Sequence, residues 1–359
     1  MYKKELEALK RVDRFRERKI FDEDLVDFAS NDYLGFSEDR KSFKRASRLV
    51  LDYKRFSPKA SILVNGYHEI HQRFEMYLSK LNGFESGLVV GSGFLANISL
   101  IEALVRKRDV LFIDEEYHAS GILATRLLDK SQVVVFEHNN PDDLEEKLNR
   151  VEANRKIIAI EGVYSMSGDI CKRDFFDLAN SYNALLIVDE AHSSGVIGKN
   201  LLGVFDYYNI APKENHIKMG TLGKAYGSYG AYILASKEII SFLENRAKPV
   251  IYSTAPSIFD TALALVNVER VSNNPKKYRK KIKERQKIVK DTIGVDLKSL
   301  ILPIRVPSNE KALKLQEALM VHGFLVGAIR QPTVKSPILR IIPRLGISKK
   351  ALKSLLNHF

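Results

Sequence analysis

SGLVVGSGFLANISLIEALVRK, residues 86–107, passes from a short β-branched run through a glycine-rich turn into a helical pattern. The same order recurs downstream, where short apolar runs alternate with helical stretches as far as ALLIVDEAH, residues 184–192. Such strand–helix alternation is typical of a mostly parallel sheet with helices on both faces. The sequence therefore predicts an α/β fold.

The chain divides into three regions by pattern. Residues 1–45 are predicted to form an N-terminal arm that begins with a charged helix. Residues 46–255 carry the strand–helix alternation and are predicted to form a large domain. Residues 256–359 show longer helices and few strands, so we expect a smaller α+β domain there.

Composition indicates a globular protein. Hydrophobic residues make up 45% and charged residues 28% of the 359 residues, close to globular averages. No apolar run approaches the ~18 residues of a membrane span, and the charged N-terminus is unlike a secretory signal. The single cysteine, Cys171, suits a reducing compartment. We expect a cytoplasmic location and no membrane partner.

The chain is basic, with a formal net charge of +13. Its densest basic run is KKYRKKIKERQKIVK, residues 276–290, in which Tyr278, Ile282, Arg285 and Val289 share one helical stripe. An ordinary amphipathic helix explains this run. A docking surface for an acidic partner protein is the alternative, and a basic nucleic-acid-binding protein is the rival of another class.

Reactive side chains follow the predicted strands. Ligands of open α/β sheets bind beyond the carboxyl ends of the strands, so these positions form the candidate site. They are Gly91, Ser92, Gly93, Phe94, Tyr117, His118, Ser165, Asp189, His192, Thr221 and Lys224.

Two glycine-rich turns of this set carry a candidate reactive amine and a candidate phosphate-binding site. In GTLGKAYG, residues 220–227, Lys224 is either a solvated surface lysine or a desolvated amine able to form a Schiff base. In VVGSGFLAN, residues 89–97, the glycines precede a helix whose N-terminus can hold a phosphate, although an ordinary tight turn also explains them. Neither stretch is a dinucleotide fingerprint or a P-loop.

The stretch IVDEAHSSG, residues 187–195, supplies a carboxylate and a histidine. Asp189 could hold a cationic ring nitrogen and His192 a neighbouring oxygen. We expect no metal, since no third ligand has a convincing spacing, and no G-x-S-x-G elbow supports a hydrolase. A lysine, an aspartate and a phosphate-binding helix end together meet the needs of pyridoxal phosphate.

Several motifs then carry a family resemblance along essentially the whole chain. They are SNDYLGF, VVGSGFLANISLIEAL, DEEYHAS, FEHNN, EGVYSMSGDI, VDEAHSSGVIG, TLGKAYGSYGAY and IYSTAP. The chain resembles the α-oxoamine synthases, fold-type I pyridoxal-phosphate enzymes that condense an amino acid with an acyl thioester. The resemblance implies that residues 46–255 form the cofactor-binding domain.

The resemblance also implies roles for individual residues. Lys224 would be the Schiff-base lysine, Asp189 the partner of the pyridine nitrogen, and His118 a ring-stacking residue that also contacts substrate. His192, helped by Ser165, would bind the phenolic oxygen of the ring. The residues implied in phosphate binding are Gly93, Phe94, Thr221 and, from the other subunit of a homodimer, Thr254.

Substrate-binding residues are implied in the N- and C-terminal regions. Arg340 would bind the carboxylate of the amino acid, and Thr333 would contact substrate. An N-terminal arginine has the same role in the family, and we choose Arg16 over Arg14 and Arg18, between which the alignment does not decide.

The segment GAIRQPTVKSPILRI, residues 327–341, is most similar to the family member of biotin biosynthesis. This implies condensation of L-alanine with a pimeloyl thioester, carried by coenzyme A or by an acyl-carrier protein. Sister synthases that use glycine (glycine C-acetyltransferase or 5-aminolevulinate synthase) are the alternative. The sequence departs from the family at 56–66, a loop that lies near the acyl thioester in relatives, and at 198–208. Neither departure touches the residues implied in binding the ring.

Overall fold

In a computed structural model that covers residues 1–359, the chain forms fourteen α-helices and twelve strands. The helices are α1 (Lys3–Arg11), α2 (Arg40–Leu51), α3 (Glu69–Asn82), α4 (Gly93–Leu104), α5 (Ala119–Ala124), α6 (Pro141–Arg150), α7 (Asp174–Ser181), α8 (Val204–Tyr207), α9 (Lys237–Arg246), α10 (Lys248–Ile251), α11 (Ile258–Ser272), α12 (Pro275–Ile293), α13 (Asn309–Val321) and α14 (Lys349–Leu356). The strands are β1 (Val26–Asp27), β2 (Ser86–Val90), β3 (Val110–Asp114), β4 (Val133–Phe136), β5 (Lys156–Glu161), β6 (Leu185–Asp189), β7 (His216–Thr221), β8 (Ala231–Ala235), β9 (Leu302–Arg305), β10 (Phe324–Leu325), β11 (Gly327–Ile329) and β12 (Ile338–Ile341).

The chain forms two compact units. The larger unit comprises residues 34–165 and 169–279, and the smaller one comprises residues 1–33, 166–168 and 280–359. No helix in either unit is both long enough and apolar enough to cross a bilayer.

A seven-stranded sheet organises the larger unit, in the order β2-β8-β7-β6-β5-β3-β4. Strands β3 to β7 run parallel to one another, and β8 runs antiparallel to both of its neighbours, β2 and β7. The predicted mostly parallel sheet is thus confirmed. Its parallel strands bring their carboxyl ends to one edge, where an α/β sheet binds ligands.

Helices of the larger unit cover the apolar strands of this sheet. Every residue of β3 and β8 is buried, as expected for strands shielded on both faces. Helix α4 contacts β2, β7 and β8, while α7 contacts β6. Helix α5 ends at Ala124, and the chain continues as a 3₁₀ turn over Thr125–Leu127. There the Thr125 hydroxyl donates to the Ile122 carbonyl at 2.8 Å, a local bond that competes with helix continuation.

The basic run forms one long amphipathic helix, α12, as predicted. The stripe residues Tyr278, Ile282, Arg285 and Val289 are all buried. Seven lysines of the same helix are exposed (Lys276, Lys277, Lys280, Lys281, Lys283, Lys287 and Lys290). The apolar stripe explains why the segment folds as a helix, because packing of that stripe stabilises it more than propensity does.

The smaller unit contains the antiparallel sheet β11-β12-β9 and the parallel pair β1-β10. Its core gathers apolar side chains from distant parts of the chain, among them Phe28, Val289, Leu302, Leu339 and Leu355. This arrangement places the N-terminal segment and the C-terminal strands in one unit.

A charged cluster lies in the larger unit where β3 and β4 end. His138 Nδ1 lies 3.2 Å from Asp114 Oδ1, and its Nε2 lies 3.2 Å from Asp169 Oδ2. Burial lowers the pKa of His138, but the hydrogen bonds to these two carboxylates outweigh burial and raise it to about 10. The imidazole is therefore a cation held between two anions at neutral pH.

We expect His138→Gln to destabilise the fold by a few kcal/mol at pH 6.5, in order of magnitude, with the difference shrinking as pH rises. A folded pKa near 10 exceeds the unfolded value of 6.5, so the stabilisation is complete below pH 6.5 and is lost through pH 10. Urea unfolding of both proteins between pH 6.5 and 10 measures this, with the exposed His322→Gln as a matched control. A pH-independent difference would contradict it.

Candidate active site

Three neighbouring strands of the larger unit end in polar residues at the ligand-binding edge of the sheet. Glu161 and Asp189 are the last residues of β5 and β6 and lie opposite each other in register. Thr221 ends β7, two residues beyond Met219, which pairs with Asp189 in the sheet. The sheet thus brings two carboxyl groups and a hydroxyl to one edge.

The turn after β7 presents Lys224 to His192. Lys224 Nζ lies 2.8 Å from His192 Nε2, although 32 residues separate them in sequence. Gly227 closes this turn with a φ of +55°, and a Cβ there would lie 2.6 Å from the Cβ of Phe36. Only glycine fits this crowded left-handed position, and this explains the glycine after the lysine.

The N-terminus of α4 packs directly on Thr221. A Cβ at Gly93 would lie 2.6 Å from Thr221 Cγ2, so glycine permits this close approach. Thr221 Oγ1 is shielded from solvent and has no hydrogen-bond partner. The N–H groups of Gly93 and Phe94 belong to the first turn of α4, where no carbonyl of the helix can accept from them. Unmet donors at a helix N-terminus are what a phosphate group needs.

Asp189 is buried and held from both sides. Its Oδ1 accepts from the backbone N–H of Ala191 at 3.0 Å, and its Oδ2 accepts from Asn97 Nδ2 at 2.9 Å. Only 4% of Asp189 is exposed, so the carboxylate keeps one orientation and is largely withdrawn from water. A fixed, desolvated carboxylate is suited to holding a protonated ring nitrogen.

His118 caps the N-terminus of α5 and belongs to the same cluster. Its Nδ1 accepts from the backbone N–H of Ser120 at 3.3 Å. Burial lowers the pKa of His118, the charge of Asp189 raises it, and the charge of Lys224 lowers it further. The charges of Asp189 and Lys224 therefore both act on the His118 ring.

Glu161 is a buried acid that sequence reasoning missed. Its Oε2 accepts from the backbone N–H of Ser165 at 2.9 Å, while its Oε1 is buried without a partner. Burial raises the pKa of Glu161 well above its usual value, and the neighbouring charge of Asp189 raises it further. Glu161 thereby fixes the turn that carries Ser165. Its position as the last residue of β5 was the available sequence signal.

Glu161→Gln is expected to gain stability relative to wild type as pH rises above 4.5, by up to about 1.4 kcal/mol per pH unit. The folded pKa lies above the unfolded one, so the folded acid resists losing its proton and wild-type stability falls as pH rises. Urea unfolding of the cofactor-free proteins measures the slope, with exposed Glu238→Gln as control. Parallel pH curves for wild type and Glu161→Gln would contradict this expectation.

Thr254 lies on a loop that is tied to the divergent segment 56–66. The backbone N–H of Ala255 donates to the Ala60 carbonyl at 2.9 Å, and Ser61 Oγ donates to the Ile251 carbonyl at 2.8 Å. The segment that departs from the family pattern therefore supports the loop carrying Thr254.

Apart from His118, the substrate-binding candidates lie in the smaller unit. Arg340 is buried within β12, where its Nη1 donates to Asn31 Oδ1 at 2.8 Å. Arg16 Nη2 donates to Thr333 Oγ1 at 3.0 Å, which brings two predicted residues together. Arg14 instead contacts Gln331 Oε1 at 3.2 Å. Sequence reasoning gave Asn31 no role, although it lies within the SNDYLGF motif.

The donor set of the larger unit fits pyridoxal phosphate. The unpartnered Thr221 hydroxyl and the α4 N-terminus suit its phosphate, Asp189 suits its ring nitrogen, and Lys224 suits its aldehyde. No group of three or more His, Cys, Asp or Glu side chains is arranged to hold a metal ion. Fold and site together define a fold-type I pyridoxal-phosphate enzyme.

Comparison with known proteins places the chain in a family. Residues 23–359 match the model of aminotransferase class I and II, and the chain belongs to this family. It is 46% identical to 8-amino-7-oxononanoate synthase of Helicobacter pylori strain 26695, over 99% of this chain and 96% of that protein. It is 38% identical to a putative 8-amino-7-oxononanoate synthase of Aquifex aeolicus, over 98% of this chain and 96% of that protein. Pyridoxal phosphate is the cofactor of this enzyme.

Solved structures share the fold. Serine palmitoyltransferase of S. paucimobilis, solved with bound pyridoxal phosphate and myriocin, superposes with a TM-score of 0.87 at 22% identity. That match covers 93% of this chain and 86% of the other. An 8-amino-7-oxononanoate synthase of Francisella tularensis superposes with a TM-score of 0.77 at 26% identity, over 94% of this chain and 97% of the other. These matches confirm the predicted fold class.

Proposed function

We propose that this chain is an 8-amino-7-oxononanoate synthase, a pyridoxal-phosphate-dependent acyltransferase of biotin biosynthesis. It would join the α-carbon of L-alanine to the carbonyl carbon of a pimeloyl thioester. The C–S bond breaks, the alanine carboxylate leaves as carbon dioxide, and the carrier is released as a thiol. The observation that carries this proposal is Lys224 at 2.8 Å from His192 at the sheet edge that also bears Asp189. The H. pylori relative, 46% identical, bears this enzyme name.

The residues of the larger unit would perform the proton chemistry. When bound, the cofactor's protonated ring accepts the negative charge that develops at the α-carbon of alanine. Asp189 would hold the proton on the ring nitrogen, and Lys224 Nζ would remove the α-proton of alanine. His192, 2.8 Å from Nζ, can hold or release the lysine's hydrogen as the protonation state changes. The α4 N-terminus and Thr221 would anchor the phosphate.

The residues of the smaller unit would select the amino acid. Arg340 would bind the carboxylate of alanine by charge-assisted hydrogen bonds, and Asn31 keeps its guanidinium in place at 2.8 Å. Arg16 and Thr333 would contact substrate as a hydrogen-bonded pair. Arginine suits this task because its planar fork matches a carboxylate.

Mass-spectrometric product analysis tests the proposed function. The purified enzyme is incubated with L-alanine and pimeloyl thioester, and in parallel with glycine and acetyl or succinyl thioester. We expect 8-amino-7-oxononanoate from the first mixture and no amino ketone from the others. Product only from glycine would show a sister synthase instead. A colourless protein with salt-dependent DNA binding would favour the nucleic-acid-binding alternative.

We further propose a homodimer with a shared active site, in which Thr254 contacts the phosphate bound by the other subunit. Large apolar side chains of the larger unit support an interface, since Val64 is 77% and Tyr252 80% exposed. Exposed apolar side chains that lie together mark an interaction surface, and the bond from Ser61 Oγ to the Ile251 carbonyl brings the segments that carry Val64 and Tyr252 together. Sedimentation equilibrium measures the assembly, and a strictly monomeric active enzyme would exclude the shared site.

An acyl-carrier protein is the proposed thioester donor, and α12 is the surface that would meet it. The helix holds nine basic and two acidic residues, a net charge of +7 within the chain's +13. Glu284 forms an ion pair with Lys349 of α14 at 2.7 Å, so the second helix adds its lysine to this face. A concentrated positive face is complementary to an acidic carrier.

Charge reversal of Lys280, Lys283 and Lys287, which share one face of α12, is expected to raise KM for the carrier-bound thioester about tenfold or more. The kcat for that donor and the kinetics with pimeloyl coenzyme A should change much less. The control reverses three exposed lysines on other elements, namely Lys130, Lys172 and Lys237. An equal rise in KM for the carrier-bound thioester and for pimeloyl coenzyme A would exclude a dedicated carrier surface. The same conclusion would follow if the control variant raised KM as much as the α12 variant.

A further inference from the structure

One buried amide links the two functional groups that flank the proposed cofactor ring. Asn97 lies in α4 and is 1% exposed. Its Nδ2 donates to Asp189 Oδ2 and to Ser120 Oγ, both at 2.9 Å, while its Oδ1 accepts from the Tyr117 hydroxyl at 2.7 Å. Both amide hydrogens and the carbonyl oxygen are thus engaged.

The orientation of this amide follows from its partners. An ionised carboxylate can only accept hydrogen bonds, so the NH₂ group of Asn97 faces Asp189. The reversed amide would set its oxygen against the carboxylate oxygen in a site from which water is excluded. Because the two N–H bonds of an amide diverge in one plane, Asn97 also fixes where Ser120 Oγ lies relative to Asp189.

The chain of hydrogen bonds continues from Ser120 to His118. Ser120 Oγ lies 2.7 Å from His118 Nδ1, and the backbone N–H of Ser120 lies 3.3 Å from the same nitrogen. A backbone N–H can only donate, but at 3.3 Å this bond is long and only favours an acceptor at Nδ1. The shorter bond from the Ser120 hydroxyl enforces it, so that a neutral ring carries its proton on Nε2. Ser120 Oγ already accepts from Asn97, which directs its own hydrogen to Nδ1.

We propose that Asn97 is a positioning residue that sets both the orientation of Asp189 and, through Ser120, the tautomer of His118. One amide thereby couples the carboxylate meant for the ring nitrogen to the histidine meant for the ring face. The consequence is a His118 whose Nε2–H is its ring donor toward a bound ligand. This inference rests on the proposed roles of Asp189 and His118, but the hydrogen bonds exist without any ligand.

Nitrogen NMR of ¹⁵N-histidine-labelled, cofactor-free protein tests the tautomer. The His118 resonances are assigned by comparison with His118→Gln. In wild type we expect an unprotonated Nδ1 and a protonated Nε2. Ser120→Ala should give a mixture of tautomers and raise the His118 titration midpoint by about half to one pH unit, because the hydroxyl donor to the neutral ring is lost. Tyr117→Phe, which keeps both Nδ2 bonds of Asn97, should resemble wild type.

Equilibrium binding of pyridoxal phosphate separates the effect of Asn97 on Asp189 from its effect on His118. Asn97→Ala should weaken binding about five- to tenfold, because Asp189 loses a fixed donor, whereas Ser120→Ala should change it less than twofold. Circular dichroism checks that each variant folds. If Asn97→Ala does not fold, the nitrogen NMR spectra of Ser120→Ala and Tyr117→Phe still test the tautomer of His118. A protonated Nδ1 in wild type, or an unchanged tautomer in Ser120→Ala, would overturn the inference. Neither result would bear on whether the enzyme forms 8-amino-7-oxononanoate.

Discussion

Lys224→Ala is expected to lower the rate of product formation by about 10⁴-fold or more, because it removes both the covalent anchor and the proposed proton acceptor. Mass spectrometry of the product formed from L-alanine and pimeloyl thioester measures this loss. The fold should survive, since Lys224 lies in a turn that is only half-buried. Lys172→Ala, which truncates an exposed lysine of the same unit, should keep the wild-type rate.

A second measurement assigns the covalent attachment. Reduction of the wild-type holoenzyme with borohydride, followed by proteolysis and mass spectrometry, should find the cofactor mass on Lys224. The Lys224→Ala protein should carry no such label. A label on another lysine, or an active Lys224→Ala protein, would remove the central residue of the proposed site.

The position of Lys224 beside His192 shows what sequence can predict. Both residues follow apolar runs that are easily recognised as strands, and strands β6 and β7 are parallel neighbours. Parallel neighbours end at one edge, so residues just beyond them meet. The sheet edge, the glycine-rich helix entry and the family motifs were therefore readable without coordinates.

Asn97 and Glu161 show what sequence reasoning could not supply. Asn97 lies inside an apolar helix and 92 residues from Asp189, so nothing local distinguishes it from a tolerated polar residue. Glu161 ends an apolar strand, but only the fold shows that one of its oxygens is buried without a partner and that burial raises the pKa of the carboxyl group. Such roles depend on which side chains the tertiary fold brings together.

The N-terminal arginines illustrate a further limit. In the sequence, Arg14, Arg16 and Arg18 are equivalent in type and nearly equivalent in spacing. Only the fold separates the first two, since Arg16 bonds Thr333 and Arg14 bonds Gln331. A short extended segment has no periodic pattern that fixes which side chain faces a given neighbour, and so the choice rests on tertiary contacts.

Asp189→Asn is expected to lower the rate about 10²- to 10³-fold, the order of effect seen when one preorganised electrostatic group is removed from an active site. The amide has nearly the shape of the carboxylate but cannot stabilise a proton on the ring nitrogen. It also has one oxygen for the two donors that Asp189 now satisfies, Ala191 N–H and Asn97 Nδ2. We therefore expect weaker cofactor binding and a modest loss of stability, of about 1–3 kcal/mol.

Rate, cofactor affinity and urea unfolding, measured on the same Asp189→Asn preparation, separate the charge effect from the structural one. Asp177→Asn, an exposed carboxylate on α7, should leave all three unchanged. If Asp189 serves only to hold Asn97, stability will fall while the rate of the cofactor-saturated enzyme stays near wild type. If its charge serves the ring, the rate will stay low even at saturating cofactor, since added pyridoxal phosphate restores occupancy but not the missing anion.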